Sequence, residues 1–209
     1  RSLRRLFAPL AGELHYICEN GAVVFGPGSP GAVLSKVVME HGEAMALARK
    51  IVETPDCELF MSGTNTSYLC PKGPEIVTLM RDRVRNNVVL LERPEDVPEA
   101  VVKVSAYRPG AAKTLIPILT PHFGEVFNAA IAGDGWLDFT LADKGLGLRR
   151  LCAALGIDTQ DVMAFGDNYN DLPMLAAAGH PYIMSTASPE LLPLVENKCR
   201  DVAEVLAAL

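Results

Sequence analysis

The stretch that most constrains this chain is Val162-Met163-Ala164-Phe165-Gly166-Asp167-Asn168-Tyr169-Asn170-Asp171-Leu172-Pro173-Met174-Leu175. An apolar run without charge stops at Gly166, two carboxylates follow four residues apart, and an apolar helical pattern with Pro173 near its start takes over. That order reads as a buried parallel strand, a carboxylate loop and a helix. In open α/β sheets the loops beyond the carboxyl ends of strands hold ligands, which aims Asp167 and Asp171 at a crevice. Two anions at ~4 Å repel by about 1 to 4 kcal/mol, so the pair wants a cation or a proton between them. Oxygen-only ligands favour a hard ion, Mg²⁺ ahead of zinc. A calcium EF-hand is excluded, because Tyr169 occupies the third ligand position and Leu172 stands where that loop needs Gly. The competing reading is a polar loop whose Asp and Asn side chains only cap the next helix.

Upstream, Asp143-Lys144-Gly145 opens a pattern in which Leu148, Leu151, Cys152 and Leu155 share one helical face and Gly156 serves as a C-cap. Lys144 sits at the positive end of that helix, unfavourable by several tenths of a kcal/mol, which suggests an external anion; the competing reading is a solvated surface lysine. Near the start, His15-Tyr16-Ile17-Cys18 reads as a strand that runs into Glu19-Asn20-Gly21-Ala22, where Asn-Gly marks a turn with positive φ.

These segments together resemble a known family. Phe165 to Asp171, with Met174-Leu175 after it, resembles the fourth motif of the haloacid dehalogenase superfamily of phosphatases, in its Cof-type branch with an α/β cap. Lys144-Gly145 resembles the third motif, and Asn20-Gly21-Ala22 resembles the passage from core to cap. The resemblance implies an α/β fold: a HAD-like Rossmannoid parallel sheet core with an inserted α/β cap domain. Residues 1–24 and 143–209 would form the core and residues 25–142 the cap. It implies Mg²⁺ as cofactor, with Asp167 and Asp171 at the metal, Asp171 supporting the ion or its waters. Lys144 would be catalytic, neutralising phosphoryl oxygens, and Asn170, Asn20 and Gly21 would lie at the phosphate or substrate.

The family's chemistry uses an Asp nucleophile that attacks phosphorus and a second Asp two residues later that protonates the leaving oxygen and then activates water. No Asp-x-Asp-Gly-Thr occurs in this sequence, and position one is Arg rather than Met. Both carboxylates are therefore expected upstream of Arg1, the chain as given lacking the nucleophile and a central strand. The function expected of the complete protein is Mg²⁺-dependent hydrolysis of a small phosphorylated metabolite, such as a sugar phosphate or a phosphorylated cofactor. The alternative is a non-catalytic phospholigand-binding or regulatory protein on the same fold.

The 209 residues suffice for a core and a smaller inserted domain, and 49% of them are apolar. A formal charge of −6 argues against nucleic acid or an anionic membrane as the main partner. Five cysteines, without a CxxC pair, read as reduced and packed thiols of a cytoplasmic protein. No apolar run reaches ~18 residues. The sequence sets no oligomeric state and does not single out one substrate.

Between the two ends, Gly26 to Gly31 reads as a breaker loop at the first domain boundary. Helices are expected over 44–52, 75–84 and 111–119, the last ended by Pro121. Strands are expected at 59–61, 67–69 and 101–107, with a hairpin of 125–130 and 136–141 around Gly133-Asp134-Gly135. No acid or histidine constellation is expected in this insert, and His41, His122 and Trp136 read as solvated or core residues. After the acidic loop come a strand at 181–184 and helices over 189–195 and 202–209. Leu3, Leu6, Phe7 and Leu10 suggest a helix before the first strand.

Overall fold

The computed structural model describes residues 7, 9, 13–28 and 31–208. The helix expected from Leu3, Leu6, Phe7 and Leu10 falls, apart from Phe7, outside the described residues.

The first sheet is antiparallel, with β1 (Tyr16–Cys18), β2 (Val23–Gly28) and β3 (Gly31–Lys36) in that order. A one-turn 3-10 segment, Glu19–Gly21, joins β1 to β2. The breaker cluster is thus part of a hairpin, Gly28 pairing with Gly31, and the expected boundary at residue 25 falls inside β2. Pro27 has no N–H to give the ladder, and the pairing register shifts between Phe25 and Gly28. Ala22, Val23 and Phe25 pack with Val102 and Ala142.

The next stretch runs α1 (His41–Glu53), β4 (Glu58–Ser62), β5 (Ser67–Leu69), α2 (Pro74–Val77), β6 (Val88–Leu90), β7 (Lys103–Tyr107), α3 (Ile116–Phe123), β8 (Asn128–Ala132) and β9 (Trp136–Thr140). Its strands form one six-stranded sheet, ordered β6-β5-β4-β7-β9-β8. Along β4, Leu59 and Met61 pack with Leu47 and Ile51 of α1, while Phe60 packs with Leu69, Ile76 and Met80. Both faces of this strand are covered, which is why it reads as a continuous apolar run. Trp136 is half-buried and packs against the core, its ring 4.3 Å from Tyr107 and 5.5 Å from Phe60.

Several elements depart from the sequence reading. The helix expected over 75–84 is α-helical only through Val77 and continues as a π-helical turn, Thr78–Arg83. Pro121 lies inside α3 instead of ending it. Proline there forfeits only one intrahelical bond, and Leu119 and Phe123 on either side are anchored in the core. β6, a three-residue edge strand in the apolar run Val88-Val89-Leu90-Leu91, was not among the expected strands.

The chain then enters α4 (Lys144–Leu155), β10 (Met163–Gly166), α5 (Leu172–Ala177), β11 (His180–Met184), β12 (Asn197–Cys199) and α6 (Val202–Ala207). The last three strands form a parallel sheet, β10-β11-β12. Leu148 and Cys152 of α4, Leu175 of α5 and Ala164 and Ile183 of the sheet share one core. The expected helix over 189–195 is only a 3-10 turn, Leu192–Leu194, and β12 was not foreseen. All five cysteines are free thiols, and burial pushes the Cys57 thiol up to about 11. No helix among the described residues is long and apolar enough to cross a membrane.

Candidate active site

The acidic loop leaves β10 at Gly166 and closes into a 3-10 turn, Tyr169–Asp171, before α5. Gly166 is required by packing: a Cβ there would lie 2.5 Å from Cβ of Asp171, whose side chain folds back over the strand end. Asp171 Oδ2 accepts the backbone N–H groups of Asp167 and Asn168, both at 3.0 Å. Asn168 Oδ1 accepts from the Tyr169 N–H at 2.8 Å, so the turn is capped reciprocally. Capping and site chemistry are therefore not rivals here. The second oxygen of Asp171, Oδ1, takes the ammonium of Lys144.

Lys144 is brought to that oxygen by the start of α4. Asp143 is the N-cap, its Oδ1 accepting the Leu146 N–H at 2.7 Å. The cation at the positive helix end is thus answered by a carboxylate from the neighbouring loop.

The third contributor is the Glu19–Gly21 turn. Asn170 Nδ2 donates to Asn20 Oδ1 at 3.3 Å, and Asn20 Nδ2 donates to Asp138 Oδ2 of β9 at 2.9 Å. Asp138 pairs in turn with Lys103 of β7 at 3.2 Å, and Lys103 pairs with Glu19 at 2.9 Å. The Ser62 hydroxyl donates to the same Glu19 oxygen at 2.8 Å. Burial works to raise the Glu19 carboxyl, but Lys103 and the Ser62 hydroxyl outweigh it and hold the group below its ordinary value. Burial likewise works to lower the Lys103 ammonium, and Asp138 and Glu19 outweigh it and raise the group above the usual lysine value. The insert contributes Ser62, Lys103 and one acid, Asp138, to this constellation, and the second acid, Glu19, comes from outside it. The constellation's sequence signal was a charge inside each of two apolar strands, Val102-Lys103-Val104 and Leu137-Asp138-Phe139, since a buried charge requires a partner.

Of the predicted residues, Lys144, Asn20 and Asn170 line one cleft of about 560 Å³, walled on the other side by Phe127, Asn128 and Ile131. Asp171 is buried behind Lys144 and is not among the lining residues. Asp167 is exposed, and among the described residues no hydrogen bond engages its carboxylate. Gly21, expected beside the substrate, is buried against α4 instead. A Cβ on it would meet the Asp143 carbonyl oxygen at 2.0 Å, and its φ is +94°. It lets the turn touch the helix and is no part of the cleft wall.

As a cation site the loop offers oxygen donors only. Asp167 is free to bind a hard ion. Both oxygens of Asp171 already accept hydrogen bonds, so its place is to support. Among the described residues there is no group of three or more His, Cys, Asp or Glu side chains gathered to hold a metal. What the loop offers is the exposed Asp167 carboxylate, an oxygen donor of the kind a hard cation takes.

A family model described as haloacid dehalogenase-like hydrolase matches residues 1–205. The chain is 25% identical over 193 residues, 87% of its length, to 5-amino-6-(5-phospho-D-ribitylamino)uracil phosphatase YbjI of Escherichia coli K12, and covers 67% of that protein. A 50-residue stretch is 50% identical to HMP-PP phosphatase of Cronobacter sakazakii, covering 24% of this chain and 18% of that one. Among solved structures, SMU.1108c of Streptococcus mutans UA159 superposes with a TM-score of 0.82 at 22% identity, over 100% of this chain and 81% of the other. The HAD subclass IIB sugar phosphatase BT4131 superposes with a TM-score of 0.74 at 17% identity, over 93% and 75%.

Proposed function

Because the chain belongs to the haloacid dehalogenase-like hydrolases, we propose that it is the cap and C-terminal core of a Mg²⁺-dependent phosphatase that hydrolyses a small phosphorylated metabolite. A sugar phosphate or a phosphorylated cofactor is the substrate class. The observation that carries this reading is the Lys144–Asp171 ion pair at the edge of a cleft that also presents Asn20 and Asn170. One carboxylate holds the ammonium from behind and leaves its charge directed at whatever fills the cleft. A phosphoryl group there meets a fixed cation, and the Asn20–Asn170 pair orients its oxygens. Preorganised donors of this kind stabilise charge developing on the transferring group without rearranging.

Asp167, free and oxygen-bearing, is the metal ligand of this proposal, and Asp171 keeps both Lys144 and the loop amides in place. When bound, magnesium supplies Lewis-acid neutralisation of phosphoryl charge. The nucleophile and acid–base aspartates are assigned to residues upstream of Arg1. The packing clusters support a core assembled from the two ends of the chain, a cap between them, and hairpin β2–β3 on the core side. The net charge of −6 supports a small anion over nucleic acid or membrane as partner, and the free thiols support a cytoplasmic location.

The test is hydrolysis of an aryl phosphate by the protein expressed from its complete reading frame. Activity should require Mg²⁺, vanish in EDTA and be mostly lost in Asp167→Ala. Full activity in EDTA or in that variant defeats the assignment. Saturable phosphate binding without turnover would favour the non-catalytic alternative.

A further inference from the structure

The turn that presents Asn20 does not hold its own shape. Glu19, Asn20 and Gly21 all have positive φ, at 51°, 53° and 94°. For non-glycine residues such a conformation costs on the order of 1–3 kcal/mol each, and persists only where surrounding groups over-determine it. Here those groups come from one end of the six-stranded sheet. Ser62 of β4 is the register partner of Lys103 of β7, and Asp138 of β9 pairs with Ser105, two residues further along β7 on the same face as Lys103. Lys103 lies between Glu19 and Asp138, and Ser62 donates to Glu19. Asp138 is acceptor-only, so it must face the NH₂ end of the Asn20 amide. That leaves Asn20 Oδ1 turned to Asn170, whose Nδ2 donates to it.

We propose that Asp138, backed by Lys103 and Ser62, is a positioning residue for the site: it sets the amide orientation of Asn20 and ties that orientation to the six-stranded sheet. This rests on the phosphatase reading above. Asp138 does not line the cleft, and any effect it has on the reaction passes through Asn20.

The experiment is a double-mutant cycle in the protein from its complete reading frame, read as kcat/KM for an aryl phosphate alongside the melting temperature. Asn20→Ala and Asp138→Asn should each lower kcat/KM by about tenfold or more, and the double variant should lose no more than about twofold beyond the worse single one. A purely structural role would lower the melting temperature and give losses that multiply. Multiplying losses, or a wild-type rate in Asp138→Asn, overturn the proposal. Should Asp138→Asn fail to fold, the cycle is run with Ser62→Ala, which removes only the hydroxyl holding Glu19; non-additivity with Asn20→Ala supports the proposal and additivity overturns it. A wild type without Mg²⁺-dependent activity overturns the phosphatase reading and this proposal together, whereas an active wild type with multiplying losses overturns this proposal alone.

Discussion

Two lysine–carboxylate clusters flank the Asn20 turn, and they differ in what is left over. Among the described residues Lys144 has a single carboxylate partner, Asp171, and its side chain keeps 30% exposure at the cleft. Lys103 lies between two carboxylates, Glu19 and Asp138, keeps 14% exposure, and lines no part of that cleft. A lysine with one anionic neighbour and an open side still has charge to offer a ligand. One enclosed by two anions has spent its charge on the fold. The same residue types thus leave a half-open cation in one place and an enclosed brace in the other, and the number of carboxylate partners separates the two.

The sharpest way to break this contrast is Lys144→Ala. It should lower kcat in the complete protein by on the order of 100- to 1,000-fold while lowering the melting temperature less than Lys103→Met does, because Asp171 keeps the backbone N–H groups of Asp167 and Asn168. A variant that instead unfolds would move Lys144 into the brace class. Lys103→Met should do the reverse, leaving two carboxylates unpaired and costing about 3 kcal/mol or more in urea unfolding. Unchanged stability there would dissolve the comparison. Gly21→Ala should destabilise by more than about 1 kcal/mol, because the new Cβ meets the Asp143 carbonyl and the backbone φ is +94°.

The smallest effect is the pH response of the brace. The Glu19 carboxyl is held below its ordinary value of 4.5, so its contribution is complete above that pH and is lost as pH falls through the depressed value. Lys103 is raised above its ordinary 10.5, so its contribution is complete below that pH and is lost as pH rises through the raised value. Melting temperatures of wild type and Glu19→Gln should therefore converge at low pH and differ most near neutrality. Parallel curves at every pH would show that Glu19 is not part of the brace.

The Lys144 cluster was legible in the sequence because each half sits in a contiguous signal. Lys144 opens a helix whose apolar face and cap are plain, and Asp171 closes a loop bounded by a strand and a proline-led helix. Gly166, in between, marked where the backbone had to give way. The brace was harder to read, since its four residues come from four separate segments and its signal was only a charge inside each of two apolar strands, which calls for a partner without saying which.

By itself the sequence determined the α/β alternation and the acidic loop after β10, because periodicity, capping and turn chemistry act over a few residues, whereas Lys144 was tied to that loop by resemblance to a family motif. Only the tertiary structure decided that Asn20 meets Asn170 across 150 positions, that Gly21 serves packing and not the cleft, and that Lys103 joins Glu19 to Asp138. Those contacts depend on strand order and register, which sum weak preferences over the whole chain, and no short window contains that sum.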